Sequence, residues 1–109
     1  MIVSENNVQT ALTFLADDPH PLAVAQYNLA KAENYRKECF ARAFVDADGG
    51  AELRKATAEI AEEYMKAKAT EAEAIYELER VKSRKNAAEN LIEVWRTENA
   101  NARAAERVR

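Results

Sequence analysis

Glycine and proline are scarce in this chain of 109 residues, which has only two of each. Both prolines lie in "DDPHP" (17–21), and both glycines lie in "DADGG" (46–50). Because these residues punctuate helices and mark turns, the rest of the chain is left without strong interruption signals. From Ala51 to the end there are 59 residues without either one. The pattern predicts long helices joined at two turns.

Cysteine occurs once, as Cys39, so an internal disulfide is excluded and a small buried hydrophobe is the expected role. The first ten residues, "MIVSENNVQT", lack a basic start and a long apolar run, so we expect no signal peptide. No window approaches 18 apolar residues, and we expect no membrane partner. A reducing cytosol is therefore the expected compartment.

Groups able to carry out catalysis are few. The single histidine, His20, lies between the two prolines, where we expect an exposed loop residue. With His20 in a loop and the lone cysteine on a helix face, neither a Ser–His–Asp nor a Cys–His arrangement is predicted, and the glutamates lack the histidines of a metal site on facing helices. "DADGG" lacks the 12-residue calcium pattern, and no phosphate-binding glycine loop is present. We expect no enzyme activity, no metal, no cofactor and no small-molecule substrate.

Alanine is the commonest residue, with 23 copies, and 32% of the chain is charged. A composition rich in alanine, glutamate, lysine, arginine and leucine is typical of long helices and coiled coils. Since alanine buries little area, we expect thin helix-on-helix seams and no thick multilayer core. The predicted fold class is all-α.

Hydrophobic spacing divides the chain into three helices within a single domain, residues 1–109. The predicted helices are residues 4–16, capped by Ser4, 22–45 and 51–97, with a tail at 98–109 that frays or orders on a partner. The apolar stripe of the first helix is predicted to comprise Val8, Ala11, Leu12 and Leu15.

Heptad-like stripes mark the other two helices. In the second helix the stripe comprises Leu22, Ala25, Leu29, Ala32, Cys39 and Ala43, with Arg36 as a polar interruption. In the third helix Glu71 and Lys85 interrupt a stripe of Leu53, Thr57, Ile60, Tyr64, Ala67, Ala74, Leu78, Val81, Ala88, Ile92 and Trp95.

These lengths predict an elongated antiparallel helical hairpin of the coiled-coil type, with a long C-terminal helix and a short N-terminal one. The third helix would be about 70 Å long and the second about 36 Å. A tight turn at 48–49 would pair residues whose numbers add to roughly 97, as in an αα-hairpin. The first helix would then continue along the third, and Trp95 would cover its N-terminal end against Ile2, Val3 and Val8.

In the alternative packing, the first helix folds back into a three-helix bundle and leaves residues 76–97 unpaired. The apolar patch exposed in that case would demand a second subunit. Because so thin a core supplies only a few kcal/mol, we expect a homodimer with either packing.

Positive charge collects in the last quarter, where residues 81–109 hold seven basic and four acidic groups in a chain of net charge −3. The simplest interpretation is an ordinary charged helix face with Trp95 packed in the seam. The alternative is a contact with nucleic acid, in which arginines neutralise phosphates and Trp95 stacks on a base. The candidate contact residues for nucleic acid or a partner are Arg80, Lys82, Arg84, Lys85, Trp95, Arg96 and Arg103.

Two short segments carry a resemblance: "FVDADGGAELRKA" at the turn and "LIEVWRTENA" near the end. With the residues between them, about 44–103, they resemble small, mostly uncharacterised helical proteins of phages and prophages. Such proteins are often encoded near recombination or single-strand-annealing genes. The resemblance implies an accessory role in phage DNA metabolism, in the host cytosol.

The function expected first is that of a non-enzymatic accessory protein that binds a protein partner through an exposed helical face. The alternative is a nucleic-acid-binding accessory factor in phage DNA recombination that uses the basic last quarter. A third hypothesis is an inhibitor of a host defence system.

Overall fold

The structure, a computed structural model, describes residues 3–108, and over that range its helices are joined by turns and no strand is present. The helices are α1 (Glu5–Leu15), α2 (Pro21–Asp46), α3 (Ala51–Glu59) and α4 (Glu62–Val108). The predicted all-α class is confirmed. Predicted contacts of Ile2 lie outside the described residues.

The described residues group into two compact units, where the sequence predicted one domain. Unit 1 contains residues 3–22 and 80–108, and unit 2 contains residues 23–79. Helix α4 contributes residues to both units.

In unit 1, α1 begins where the sequence predicted. The Oγ atom of Ser4 accepts a hydrogen bond from the backbone N–H of Asn7 at 3.1 Å, as an N-cap should. The buried face of α1 consists of Val8, Ala11 and Phe14. Leu12, predicted on this face, is exposed, because Phe14 presents the larger apolar surface to α4 and sets the rotation of the short helix.

The second half of α4 is the surface on which α1 packs. The Val3 backbone N–H donates to the Glu98 carboxylate at 3.4 Å, and the Arg84 guanidinium lies 4.2 Å from the centre of the Phe14 ring. These contacts confirm the predicted pairing of the first helix with this part of the long helix. They contradict the three-helix alternative, in which residues 76–97 had no partner.

His20 is a capping residue, so the expectation of an exposed loop histidine is wrong. Its Nδ1 accepts a hydrogen bond from the backbone N–H of Leu22 at 3.0 Å, at the start of α2. Its ring is half-buried and meets Phe14 edge to face at 5.1 Å. The two prolines hold His20 beside a helix start, where unpaired backbone N–H groups need an acceptor.

Unit 2 is an antiparallel hairpin of α2 with α3 and the first part of α4. Its turn contains Gly49, whose φ of 101° lies in the left-handed region that glycine favours. A Cβ added there would also meet the side chain of Leu53 at 2.6 Å. The predicted glycine turn is confirmed.

The seam of unit 2 is narrow and is built largely of small side chains. On α2 it buries Ala25, Ala32 and Cys39, and on α4 it buries Ala67 and Leu78. These residues belong to the predicted stripes, which are confirmed along α2 and from Tyr64 onward.

The predicted continuous helix over 51–97 is wrong, because it breaks at Ile60 and Ala61. Ala58 and Ala67 are both buried, yet nine positions place them on opposite sides of an ideal helix at about 100° per residue. A break lets both alanines face inward.

The break also reverses the predicted roles on α3. Within α3 the buried or half-buried residues are Arg54 and Ala58, whereas the predicted stripe residue Leu53 is 60% exposed, and Ile60, at the break, is 74% exposed. Beyond the break, the register of α2 against α4 differs from the predicted one. The tight-turn rule had placed Arg36 opposite Ala61, whereas Arg36 pairs with Glu71. Helix α3 and the break contain the additional residues that cause this shift.

The tail is helical through Val108, which corrects the expected fraying from residue 98. Alanine and arginine have high helix propensity, and Arg107 in the last turn complements the helix dipole. All side chains at 100–107 are exposed.

The break at Ile60–Ala61 can be tested at Ala61, whose carbonyl accepts the Met65 N–H at 2.9 Å as a helix N-cap does. Ala61→Ser should raise the free energy of unfolding by about 1 kcal/mol, because serine caps a helix far better than alanine. Ala69→Ser, at an exposed position inside α4, should lower it by about 0.5 kcal/mol, because serine is the weaker helix former. Urea unfolding measures both, and a decrease for Ala61→Ser would indicate an unbroken helix.

Candidate functional site

The candidate contact residues of the basic quarter all lie on α4, but the helix separates them. Arg80 and Arg84 share one side by their i,i+4 spacing. On the opposite flank of the buried row Val81, Ala88 and Ile92 lie the remaining basic candidates, Lys82, Lys85, Arg96 and Arg103. The basic side chains therefore do not form one continuous patch.

Several of these basic residues have partners, Arg80 and Lys82 among them. Arg84 stacks on Phe14, a cation–π contact that helps to fix α1 on α4. The Lys85 ammonium lies 2.8 Å from a Glu89 carboxylate oxygen, and Arg96 pairs with Glu93 at 3.2 Å. Arg80, Lys82 and Arg103 are exposed.

Trp95 is half-buried on α4, within one helical turn of the buried Ile92. An indole in this position packs part of its surface against protein and leaves part in contact with solvent. Its placement is closer to the expected seam residue than to a fully exposed stacking platform. Its predicted contact with Ile2 lies outside the described residues.

Beside Arg84, α1 forms a shallow polar groove of about 430 Å³ in unit 1. Asn6, Thr10, Thr13 and Asp17 line it together with Phe14 and Arg84. Phe14 was not recognised from the sequence as a core residue, although it follows the buried Ala11 by three positions. That spacing was the available signal.

Cys39 is buried, as expected, with only 2% of its surface exposed. A hydrogen bond with the Cys39 side chain raises the pKa of Tyr35 on the neighbouring turn of α2. The tyrosine therefore stays protonated and neutral at physiological pH. Over residues 3–108, no three potential metal ligands of the His, Cys, Asp and Glu types come together.

The two polar interruptions of the predicted stripes, Arg36 and Glu71, meet across the seam of unit 2. The Arg36 Nε atom donates to the Glu71 carboxylate at 2.7 Å, and the two side chains are 27% and 19% exposed. This hydrogen bond raises the pKa of Arg36, so the guanidinium group stays positively charged. The pair fixes the register of α2 against α4.

Unit 2 also contains a long groove, here called the alanine groove, of about 690 Å³ between α2 and α4. Its most buried residues are Ala25, Ala32 and Ala74. Its other lining residues are Asn28, Lys31, Asn34, Tyr35, Glu38, Thr70, Glu73 and Glu77. The bottom of the groove consists of small side chains, and its charged lining residues are three glutamates and one lysine. Its shape and its net negative charge therefore suit a basic segment with small side chains.

A second exposed surface, here called the α3 stripe, consists of Leu53, Thr57 and Ile60. Leu53 and Thr57 share one side of α3 by their i, i+4 spacing, and Ile60 follows directly after the helix, at its C-cap. Large apolar side chains are also exposed at Val45 and Met65 in the same unit. The stripe has the pattern of a helix interface without a described partner.

Comparison with protein-family models, curated proteins and solved structures finds no match for this chain. Within the described residues, no helix is both long enough and apolar enough to cross a bilayer.

The Arg36–Glu71 pair can be tested with leucine substitutions. Arg36→Leu and Glu71→Leu should each lower Tm, because each leaves one half-buried charge without its partner. The double variant should recover most of the loss, since two leucines pack together without a desolvation penalty.

Thermal unfolding followed by circular dichroism measures this effect. The control is Glu62→Leu, which breaks the exposed Glu62–Lys66 pair and should shift Tm by less than about 2 °C. If the decrease in Tm of the double variant equals the sum of the two single decreases, Arg36 and Glu71 are not coupled.

The Arg84–Phe14 contact gives a further prediction. Arg84→Ala should lower the free energy of unfolding by about 0.5–1 kcal/mol, the usual range for a cation–π contact near the surface. Arg42→Ala, at an exposed position on α2, should change it by less than about 0.5 kcal/mol. If urea unfolding gives the same free energy of unfolding for both variants, the contact contributes nothing to the packing of α1.

Proposed function

We propose that the protein is a non-enzymatic interaction protein whose α3 stripe binds a protein partner. The observation that supports this proposal is the exposure of Leu53 (60%) on α3 and of Ile60 (74%) at the C-terminal end of that helix. Fully burying a leucine or isoleucine contributes about 1.5–3 kcal/mol, so two such residues can anchor an interface.

The construction of α3 supports the same proposal. The helix is nine residues long, and its inward side is provided by Ala58, which is fully buried. Alanine at that position fixes the helix on unit 2 and leaves the larger apolar residues facing outward. A core helix with the opposite arrangement would bury leucine and isoleucine and expose alanine.

The chemistry of the stripe indicates the kind of partner. Glu52, Lys55 and Glu59 on α3 have charges of both signs, so no strongly charged partner is required. An amphipathic helix of the partner, with its apolar face against Leu53 and Ile60, matches the dimensions of a short helical stripe. Association of this kind needs no catalytic group.

Nucleic-acid binding has less support. The basic residues are divided between two flanks of α4, and Arg84 lies against the Phe14 ring. The phage origin, the link to recombination genes, the inhibition of a host defence and the cytosolic location stay predictions. Partner binding by the α3 stripe does not depend on any of them.

Photo-crosslinking can test the proposal in extracts of the cells that produce the protein. A photoreactive residue at position 53 should capture one defined protein, whereas the same residue at position 55, on another side of α3, should not. The affinity of the captured protein is then measured with purified components by calorimetry.

Leu53→Gln and Ile60→Gln should each weaken that affinity at least tenfold, because each removes an apolar anchor. Lys55→Gln is the matched control and should change the affinity less than twofold. Equal affinities for all three variants would contradict the proposal. So would DNA binding at low salt that is lost when Arg80, Lys82, Arg84 and Lys85 are changed to alanine, since this would favour the nucleic-acid alternative.

A further inference from the structure

The alanine groove of unit 2 has a definite chemical preference. Its bottom is lined by alanine methyl groups, so a helix that presents small side chains can approach it closely. Three carboxylates, those of Glu38, Glu73 and Glu77, line the same groove with one cation, Lys31. The Lys31 ammonium lies 5.5 Å from the centre of the Tyr27 ring, and Glu77 also has a contact of its own, so Glu38 and Glu73 are the other two acidic groups of the lining. The groove thus favours a basic helix rich in small residues.

The end of α4 has these properties. We call residues 96–107 the arginine tail, and all positions from 100 to 107 are exposed. Arg96, Arg103 and Arg107, at i, i+7 and i+11, share one side of the helix, and the two glutamates of the tail, Glu98 and Glu106, lie on other sides. Four of the residues between 100 and 105 are alanines. The chain therefore contains both a groove for such a helix and the helix itself.

The spacing of the charged residues and the length of the arginine tail also match the alanine groove. Glu73 and Glu77 are separated by four positions on their helix, and so are Arg103 and Arg107 on theirs. Both pairs therefore rise by about 6 Å along the helix axis. The groove residues on α2 extend from Ala25 to Glu38, about 20 Å, and the arginine tail is about 17 Å long.

From this complementarity we propose that the alanine groove of one molecule binds the arginine tail of a second copy of the chain. One wall of the groove and the tail both belong to α4, and a continuous helix cannot double back onto its own side. The tail therefore reaches the groove of another molecule. Reciprocal exchange of two tails forms a closed two-fold dimer, in which both copies use the same surfaces.

The tail has little to lose on binding. The Arg96–Glu93 pair is exposed on both sides, and such surface pairs contribute only about 0–1 kcal/mol. Its arginine can exchange that partner for a groove carboxylate. Since the tail is already helical, binding does not require the ordering of a flexible segment, which would oppose association.

Sedimentation velocity of the full chain tests the proposal. The wild type should show a concentration-dependent monomer–dimer equilibrium that weakens as salt is raised, because exposed charges take part. The charge reversals E73R/E77R and R103E/R107E should each weaken dimerisation at least tenfold. An equimolar mixture of the two variants should restore it, because one groove and one tail then carry complementary charges again.

The double variant K66E/K68E, on α4 but outside the groove, is the control and should dimerise as the wild type does. Circular dichroism checks that every variant is helical. A wild type that stays monomeric at about 100 µM, a dimer that both reversals leave intact, or a mixture that fails to recover would each overturn the proposal.

The self-association proposal is independent of the function proposed for the α3 stripe. Leu53→Gln should leave dimerisation unchanged, and R103E/R107E should leave the binding of a captured partner at α3 unchanged. If Leu53→Gln abolishes the dimer, the second copy occupies the α3 stripe, and both proposals are wrong. If only one of the two measurements fails, only the corresponding proposal is lost.

Discussion

Alanine occupies many of the positions at which the helices of this protein meet, and its small size limits what those contacts can do. Ala25, Ala32 and Ala67 bury little apolar area, although they let helix backbones approach closely. A seam of this kind encloses little volume and leaves larger apolar side chains outside it. Leu53 and Ile60 are exposed for this reason, and the alanine groove exists because nothing larger than a methyl group fills its bottom.

Where apolar burial is small, polar contacts decide how helices align. The Arg36–Glu71 pair defines one register of α2 against α4, since a shift along the seam would leave a half-buried charge without its partner. In unit 1, the Arg84–Phe14 contact and the Val3–Glu98 hydrogen bond have the same role for α1. Basic residues that look like a binding surface in the sequence thus partly serve to position helices.

The protein has two exposed surfaces that differ in chemistry. The α3 stripe is apolar and lies on a short helix, which suits a hydrophobic contact with another protein. The alanine groove is acidic and matches the basic end of α4, which suits a contact between copies of this chain. Because the two surfaces consist of different residues, substitutions can separate their effects.

The sequence by itself determined the helical class, the glycine turn, the Ser4 cap and the apolar rows along α2 and α4, because each depends on local propensity or periodicity. It also marked Arg36 and Glu71 as interruptions, but only the tertiary structure brought them together. The break at Ala61, the burial of Phe14 in place of Leu12 and the capping by His20 depend on which residues face a neighbouring helix. Periodicity finds an apolar stripe; whether that stripe faces a core or the solvent is decided by packing, as α3 demonstrates.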